Sequence, residues 1–172
     1  MMDVGLLWEV KKFIRRNEWE FKLDLCPKTK KRLVCPITFP ICEVPNETYK
    51  LRDYQRTAIE NAFKVGHGIE EVGTGGGKSL ILASMMESIY QGDRGAKMLL
   101  VVPDTGLVSQ MFNDFTEYEC SFSFSKWMGG FDLDETTDVV IVHAKFLHRF
   151  GPKEKKQYEK FFSNIKYLFH DE

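Results

Sequence analysis

The run Glu71-Val72-Gly73-Thr74-Gly75-Gly76-Gly77-Lys78-Ser79 constrains this chain more than any other stretch. Four glycines fall among five residues, a Lys-Ser pair follows, and the apolar segment Leu80-Ile81-Leu82-Ala83-Ser84-Met85-Met86 comes next. A short β-leaning run, Ile69 to Val72, leads in. Glycine lets a backbone turn back and bring its N–H groups close to an anion with no Cβ in the way. A helix starting at Lys78 would aim its unsatisfied N–H groups and the positive end of its dipole at the same point. The Lys78 ammonium can reach the β- and γ-phosphates of a nucleotide, and the Ser79 hydroxyl can ligate Mg²⁺. A strand, a phosphate-binding loop and a helix are therefore expected in that order. The strict pattern has glycine six residues before the lysine; here Val72 holds that position and Gly73 follows it.

At 172 residues the chain is one domain, or one domain with an appendage. An apolar fraction of 43% with fourteen phenylalanines supplies a core and argues against disorder. The net charge of −1 gives no overall pull toward nucleic acid, but its distribution is uneven. Residues 1–50 hold ten Lys/Arg against seven Asp/Glu, and residues 51–172 hold fourteen against eighteen. The tightest basic cluster, Lys28-Thr29-Lys30-Lys31-Arg32, could touch phosphates, but a run this short is more often a solvated turn. Cys26, Cys35, Cys42 and Cys120 show no CxxC spacing, which disfavours a zinc site. No signal core or membrane-spanning run precedes Lys11-Lys12, so reduced thiols and a cytoplasmic location are expected.

Along the chain, Val4, Leu7, Val10 and Ile14 have helical spacing, and Trp19 to Leu23 alternates as a strand does. Four prolines between Cys26 and Pro45 then predict an irregular linker with at most one short strand, Leu33 to Cys35. A boundary near residue 48 separates residues 1–48, the end of a small N-terminal domain plus linker, from a regular part, residues 49–172. Leu51 to Phe63 predicts a helix capped by Asp53. The loop's own helix is expected to reach about Tyr90. Lys97 to Pro103 is a continuous apolar run suited to a strand buried on both faces. Asp104 or Thr105 caps a helix from about Gly106 to Tyr118. Ser121–Trp127 and Asp138–Val142 predict strands, Lys153–Phe162 a charged helix, and Ile165–Phe169 a final strand. This alternation predicts an α/β fold with a parallel sheet flanked by helices. Right-handed crossovers then gather Gly73–Ser79, Pro103–Thr105, His143 and Asp171-Glu172 at the carboxyl edge, where such sheets bind ligands.

An acidic pair closing an apolar strand far downstream of a phosphate loop is what nucleotide hydrolysis requires. One carboxylate, Asp171, would hold Mg²⁺, and its neighbour, Glu172, would polarise the attacking water.

Taken in order, Leu51–Gln55, Gly73–Ser79, Val101-Val102-Pro103 with Leu107-Val108-Ser109-Gln110, and Asp171-Glu172 resemble the motifs of superfamily 2 helicases. The displaced glycine is normal there. Within the superfamily the chain is most similar to UvsW-type recombination helicases of T4-like phages, a similarity that reaches into residues 5–24, where Gly5–Phe13 resembles the end of their small N-terminal DNA-binding domain. The resemblance implies a RecA-like lobe that binds ATP and Mg²⁺, with Lys78, Asp171 and Glu172 catalytic and Ser79 and Asp171 holding the metal. It places Gln55 on the adenine edge, with Arg52 or Tyr54 against the base or serving only as surface charge and core anchor. Gly73, Thr74, Gly75, Gly76, Gly77, Lys78 and Ser79 would cradle the triphosphate.

Pro103, Thr105 and Gln110 match a motif that runs along a nucleic-acid backbone, although Thr105 is equally a helix cap. Val139–Leu147 stands where the family usually has Ser or Thr followed by Gln. This chain has His143 and Lys145 there; Lys145 suits a phosphate, whereas His143 is equally a hydrogen-bonded histidine at a strand end. The implied partner is DNA or an RNA–DNA hybrid of branched or R-loop form, in recombination or repair. A duplex translocase of the restriction type and a non-catalytic nucleic-acid-binding remnant are the alternatives. Because the chain stops at Glu172, the expectation is a fragment without the second lobe, inactive alone and resident in the host cytoplasm.

Overall fold

A computed structural model describes residues 36–171; the sequence-based expectations for residues 1–35, including the N-terminal helix, both early strands, Cys26, Cys35 and Lys28–Arg32, lie outside them, as does Glu172. The chain forms two compact units, Met1–Thr38 with Asn61–Glu70, and Phe39–Glu60 with Glu71–Glu172. In the first, the Ile37 N–H donates to the Phe63 carbonyl at 2.8 Å, and Phe63 is buried.

The second unit holds a four-stranded, all-parallel sheet built from β1 (Lys97–Val102), β2 (Phe124–Trp127), β3 (Val139–His143) and β4 (Ile165–His170), in the order β2-β3-β1-β4. This is the α/β architecture expected. β1 and β3 are central and almost wholly buried, and Val139–Val142 is β-branched throughout, the side-chain type that packs best on a pleated surface. Alternation gives the sheet two apolar faces. Leu99, Val101, Val140, Val142 and Trp127 share one face with Phe161, and Met98, Leu100, Val139 and Ile141 fill the other.

Helices α1 (Asp53–Val65), α2 (Lys78–Gly92), α3 (Thr105–Glu117), α4 (Ala144–His148), α5 (Pro152–Gln157) and α6 (Glu159–Asn164) surround these strands in sequence. α3 packs against β1, β2 and β3 and beside α2. The registers align Val102 with His143 and Val101 with His170, so the carboxyl ends of β3, β1 and β4 lie side by side.

Four expectations are corrected. Residues 69–72 form no strand: Ile69 is 98% exposed, and β4 occupies the place beside β1. A β-leaning run becomes a strand only when a neighbour takes its backbone hydrogen bonds, and among the described residues none does. Lys153–Phe162 is two helices broken at Tyr158, whose ring stacks on Phe150 and meets Trp127 edge-on. The strand expected from Ser121 begins only at Phe124, because Phe122 turns into the core against Phe115 and Tyr90. Asp53 is the first residue of α1 rather than its cap. The Gln55 Oε1 instead accepts the Arg52 N–H at 2.9 Å, half of a capping box.

Candidate functional site

The glycine run folds as a tight loop. The Gly76 N–H donates to the Gly73 carbonyl at 2.9 Å, and Gly75 and Gly77 take φ of +77° and +72°. A side chain at Gly76 would collide with Val72 Cγ1 at 2.6 Å and the Gly73 carbonyl oxygen at 2.9 Å. Left-handed backbone at two positions and close approach at a third explain why glycine recurs here. Gly77 is the N-cap of α2 and, as glycine, supplies no side-chain capping bond, so the helix start can turn toward an anion. Gly73, Thr74 and Gly75 are exposed at the mouth of the loop.

α1 holds the loop from behind. The Gly76 carbonyl accepts hydrogen bonds from the Tyr54 hydroxyl at 3.0 Å and the Gln55 Nε2 at 3.1 Å. All peptide bonds among the described residues are trans, so the Gly77 N–H points opposite to that carbonyl, away from the start of α1. Gln55 is only 3% exposed, with both ends of its amide bonded inside the protein. Tyr54 and Arg52 are exposed.

The remaining chemistry arrives from the sheet. β4 carries Asp171 to the carboxyl edge, where its N–H donates to the Val101 carbonyl at 2.9 Å and extends the ladder. Its Oδ1 lies 3.9 Å from the Lys78 Nζ. The Ser79 and Tyr118 hydroxyls are 3.0 Å apart. Burial pushes the Tyr118 phenol above its ordinary value, with nearby Asp114 and Glu117 adding to the effect against its bond to Ser79. Tyr118 was not anticipated: it only closes a predicted helix, and no local pattern pairs it with Ser79. Serine hydroxyl and aspartate carboxylate are hard oxygen donors, which suit magnesium, an ion usually held by one or two protein oxygens with phosphate and water.

Along the same edge, Asp104 caps α3 by accepting the Leu107 N–H at 2.9 Å, which removes that duty from Thr105. Thr105 and Gln110 are exposed and Pro103 is half-buried. His143 and Lys145 diverge. Lys145 is exposed on α4, whereas His143 is 8% exposed at the end of β3, and its Nδ1 has no hydrogen-bond partner among the described residues. Burial, then the Arg149 and Lys145 charges, lower the His143 pKa against the opposing pull of Asp104. A neutral imidazole does not serve as a phosphate cation. His170 is exposed.

A family model described as the res subunit of type III restriction enzymes matches residues 48–172. Among solved structures, the chain is similar to the UvsW helicase of bacteriophage T4. One such structure is 23% identical with a TM-score of 0.66, over 98% of this chain and 61% of that one. Another T4 UvsW structure is 22% identical with a TM-score of 0.68, over 98% of this chain and 35% of that one. The SWI2/SNF2 ATPase core of Sulfolobus solfataricus, solved with dsDNA, is 17% identical with a TM-score of 0.56, over 77% and 34%. No curated protein matches the sequence. The chain thus spans between about a third and three fifths of the solved chains it resembles. At these identities the likeness establishes the fold alone, that of a RecA-like lobe.

Proposed function

The chain belongs to the family of the type III restriction enzyme res subunit, and from that membership we propose that residues 49–172 are the ATP-binding lobe of a superfamily 2 nucleic-acid motor. The observation that carries this is the 3.9 Å approach of the Lys78 Nζ to the Asp171 Oδ1, which joins a phosphate loop to an acidic strand end. The Gly75–Gly77 backbone and the N-terminus of α2 bind the phosphate chain. Lys78 neutralises its terminal groups. Ser79 and Asp171 would hold Mg²⁺, which when bound draws charge from the phosphoryl oxygens. Glu172 is placed next in sequence to orient the attacking water. Gln55 is assigned to the adenine edge, and its two internal hydrogen bonds leave one Nε2 hydrogen and one Oε1 lone pair to meet a base. Pro103, Thr105, Gln110 and Lys145 form the nucleic-acid edge.

For the whole protein we propose an ATP-dependent helicase that remodels branched or R-loop DNA in recombination or repair, acting in the host cytoplasm. Residues 1–48 would belong to a small DNA-binding domain. A second RecA-like lobe would complete the ATP cleft with arginines that steady the transferring phosphoryl group, worth on the order of 10³–10⁵ in rate. The 172 residues alone should therefore turn over very little ATP. No described helix is long and apolar enough to cross a membrane.

Lys78→Ala in the full-length protein tests the motor assignment. It is expected to abolish DNA-stimulated ATP hydrolysis, and normal hydrolysis by that variant would refute it. The family match to restriction subunits also favours a motor that moves along duplex without separating strands. Strand-displacement and translocation assays run side by side distinguish the two, and DNA binding with no ATP-dependent change would instead mark a non-catalytic remnant.

A further inference from the structure

The Ser79 hydroxyl does not bond within its own helix but meets Tyr118, 39 residues further along, at 3.0 Å. Tyr118 is held from several directions. It is 8% exposed, and its ring meets Tyr49 edge-on at a centroid distance of 4.7 Å. Its own N–H donates to the Asp114 carbonyl, and its carbonyl accepts the Asn46 N–H at 3.2 Å. The Asn46 side chain also donates to the Glu117 carbonyl at 2.8 Å, and the Tyr49 hydroxyl to the Glu117 carboxylate. The segment around residues 46–49 thus clasps the end of α3 and fixes where the phenol points.

A serine that ligates a cation through an oxygen lone pair must send its proton elsewhere. The group that accepts the proton decides which way the lone pair faces. On the assignment of Ser79 to the metal made above, we propose that Tyr118 is a positioning residue. Its phenolic oxygen accepts the Ser79 proton and turns the serine lone pair toward the phosphate loop. Tyr118 touches neither nucleotide nor metal itself; it acts through Ser79. No covalent step is involved, and the phenol stays protonated throughout.

The test is the magnesium dependence of nucleotide binding by the full chain, read with a fluorescent ADP analogue in MgCl₂ and in EDTA. Tyr118→Phe keeps the ring and its packing and removes only the oxygen. It is expected to weaken binding roughly tenfold in magnesium and to leave binding in EDTA unchanged. Ser79→Ala should show the same loss, and the double variant no further loss, because both remove one arrangement. Equal weakening of Tyr118→Phe in MgCl₂ and EDTA would make the tyrosine merely structural and overturn the proposal. So would a Tyr118→Phe variant that keeps the full magnesium effect while Ser79→Ala loses it. If Ser79→Ala itself kept that effect, the metal assignment of Ser79 would fall first, and the proposal with it.

Discussion

The Lys78 Nζ stands 3.9 Å from the Asp171 Oδ1, a contact between the first helical residue after the glycine loop and the residue that follows β4. Lysine is 34% and aspartate 10% exposed at the side chain, so water still screens the pair. A partly exposed pair of this kind is worth about 0–1 kcal/mol. Its consequence is positional, since it brings a cation that suits phosphate and a carboxylate that suits a divalent ion to one point.

Asp171→Asn should therefore separate stability from activity. Urea unfolding of the variant is expected to shift by less than about 1 kcal/mol. ATP hydrolysis by the full-length protein should fall on the order of a hundredfold or more. A large loss of stability with activity retained would make Asp171 a structural residue.

Gly77 and Gln55 are coupled through space. A Cβ at Gly77 would sit 2.4 Å from the Gln55 Nε2, on a backbone already at φ +72°. Gly77→Ala should cost about 1–2 kcal/mol from the left-handed conformation alone, with more from displacing the Gln55 amide. In a Gln55→Ala background the second part vanishes, so the glycine substitution should cost less there. Denaturant titrations of the two single variants and the double variant measure the difference, and strict additivity would contradict the contact.

Cys120 is pushed up to about 12, chiefly by burial and then by the Glu87 charge. Its alkylation near pH 8 should lag far behind that of the unfolded chain, as followed by mass spectrometry of the Cys120 peptide. The sign for stability follows. The folded state keeps the proton to higher pH than the unfolded state does. This contribution is complete below about pH 9 and is lost as pH rises toward 12. A rise in stability across that window would contradict the burial of this thiol.

Trp127 is 2% exposed and contacts the rings of Phe146, Phe150, Tyr158, Phe161 and Phe162. Trp127→Ala should destabilise the fold by about 3–5 kcal/mol, seen as an earlier urea midpoint. The near-ultraviolet circular dichroism of the aromatic cluster should weaken as well. A midpoint within experimental error of the wild type would show that the cluster does not hold β2 and β3 together.

Much of the lobe was legible because its signals are local. Glycines with a Lys-Ser pair specify a backbone that only glycine adopts, and Val139–Val142 specifies a strand with two buried faces. Where a residue's state depends on a distant partner, sequence reading faltered. Ile69–Val72 has strand composition and joins no ladder among the described residues, and Tyr158 interrupts a helical pattern to reach Phe150 and Trp127. Of the two residues that stand in for the usual motif after Val139, Lys145 is exposed, and His143 went into the core because its strand did.

By itself the sequence determined that residues 73–79 turn on glycine into the start of a helix, since φ preference and steric exclusion act within a few residues. Only the tertiary structure decided that the Gly76 carbonyl faces Tyr54 and Gln55, that Lys78 meets Asp171, and that Ser79 meets Tyr118. Those pairings depend on parallel strand register and on how α1, α2 and α3 are placed. Both arise from burial summed over the whole core, and no short stretch of sequence carries that sum.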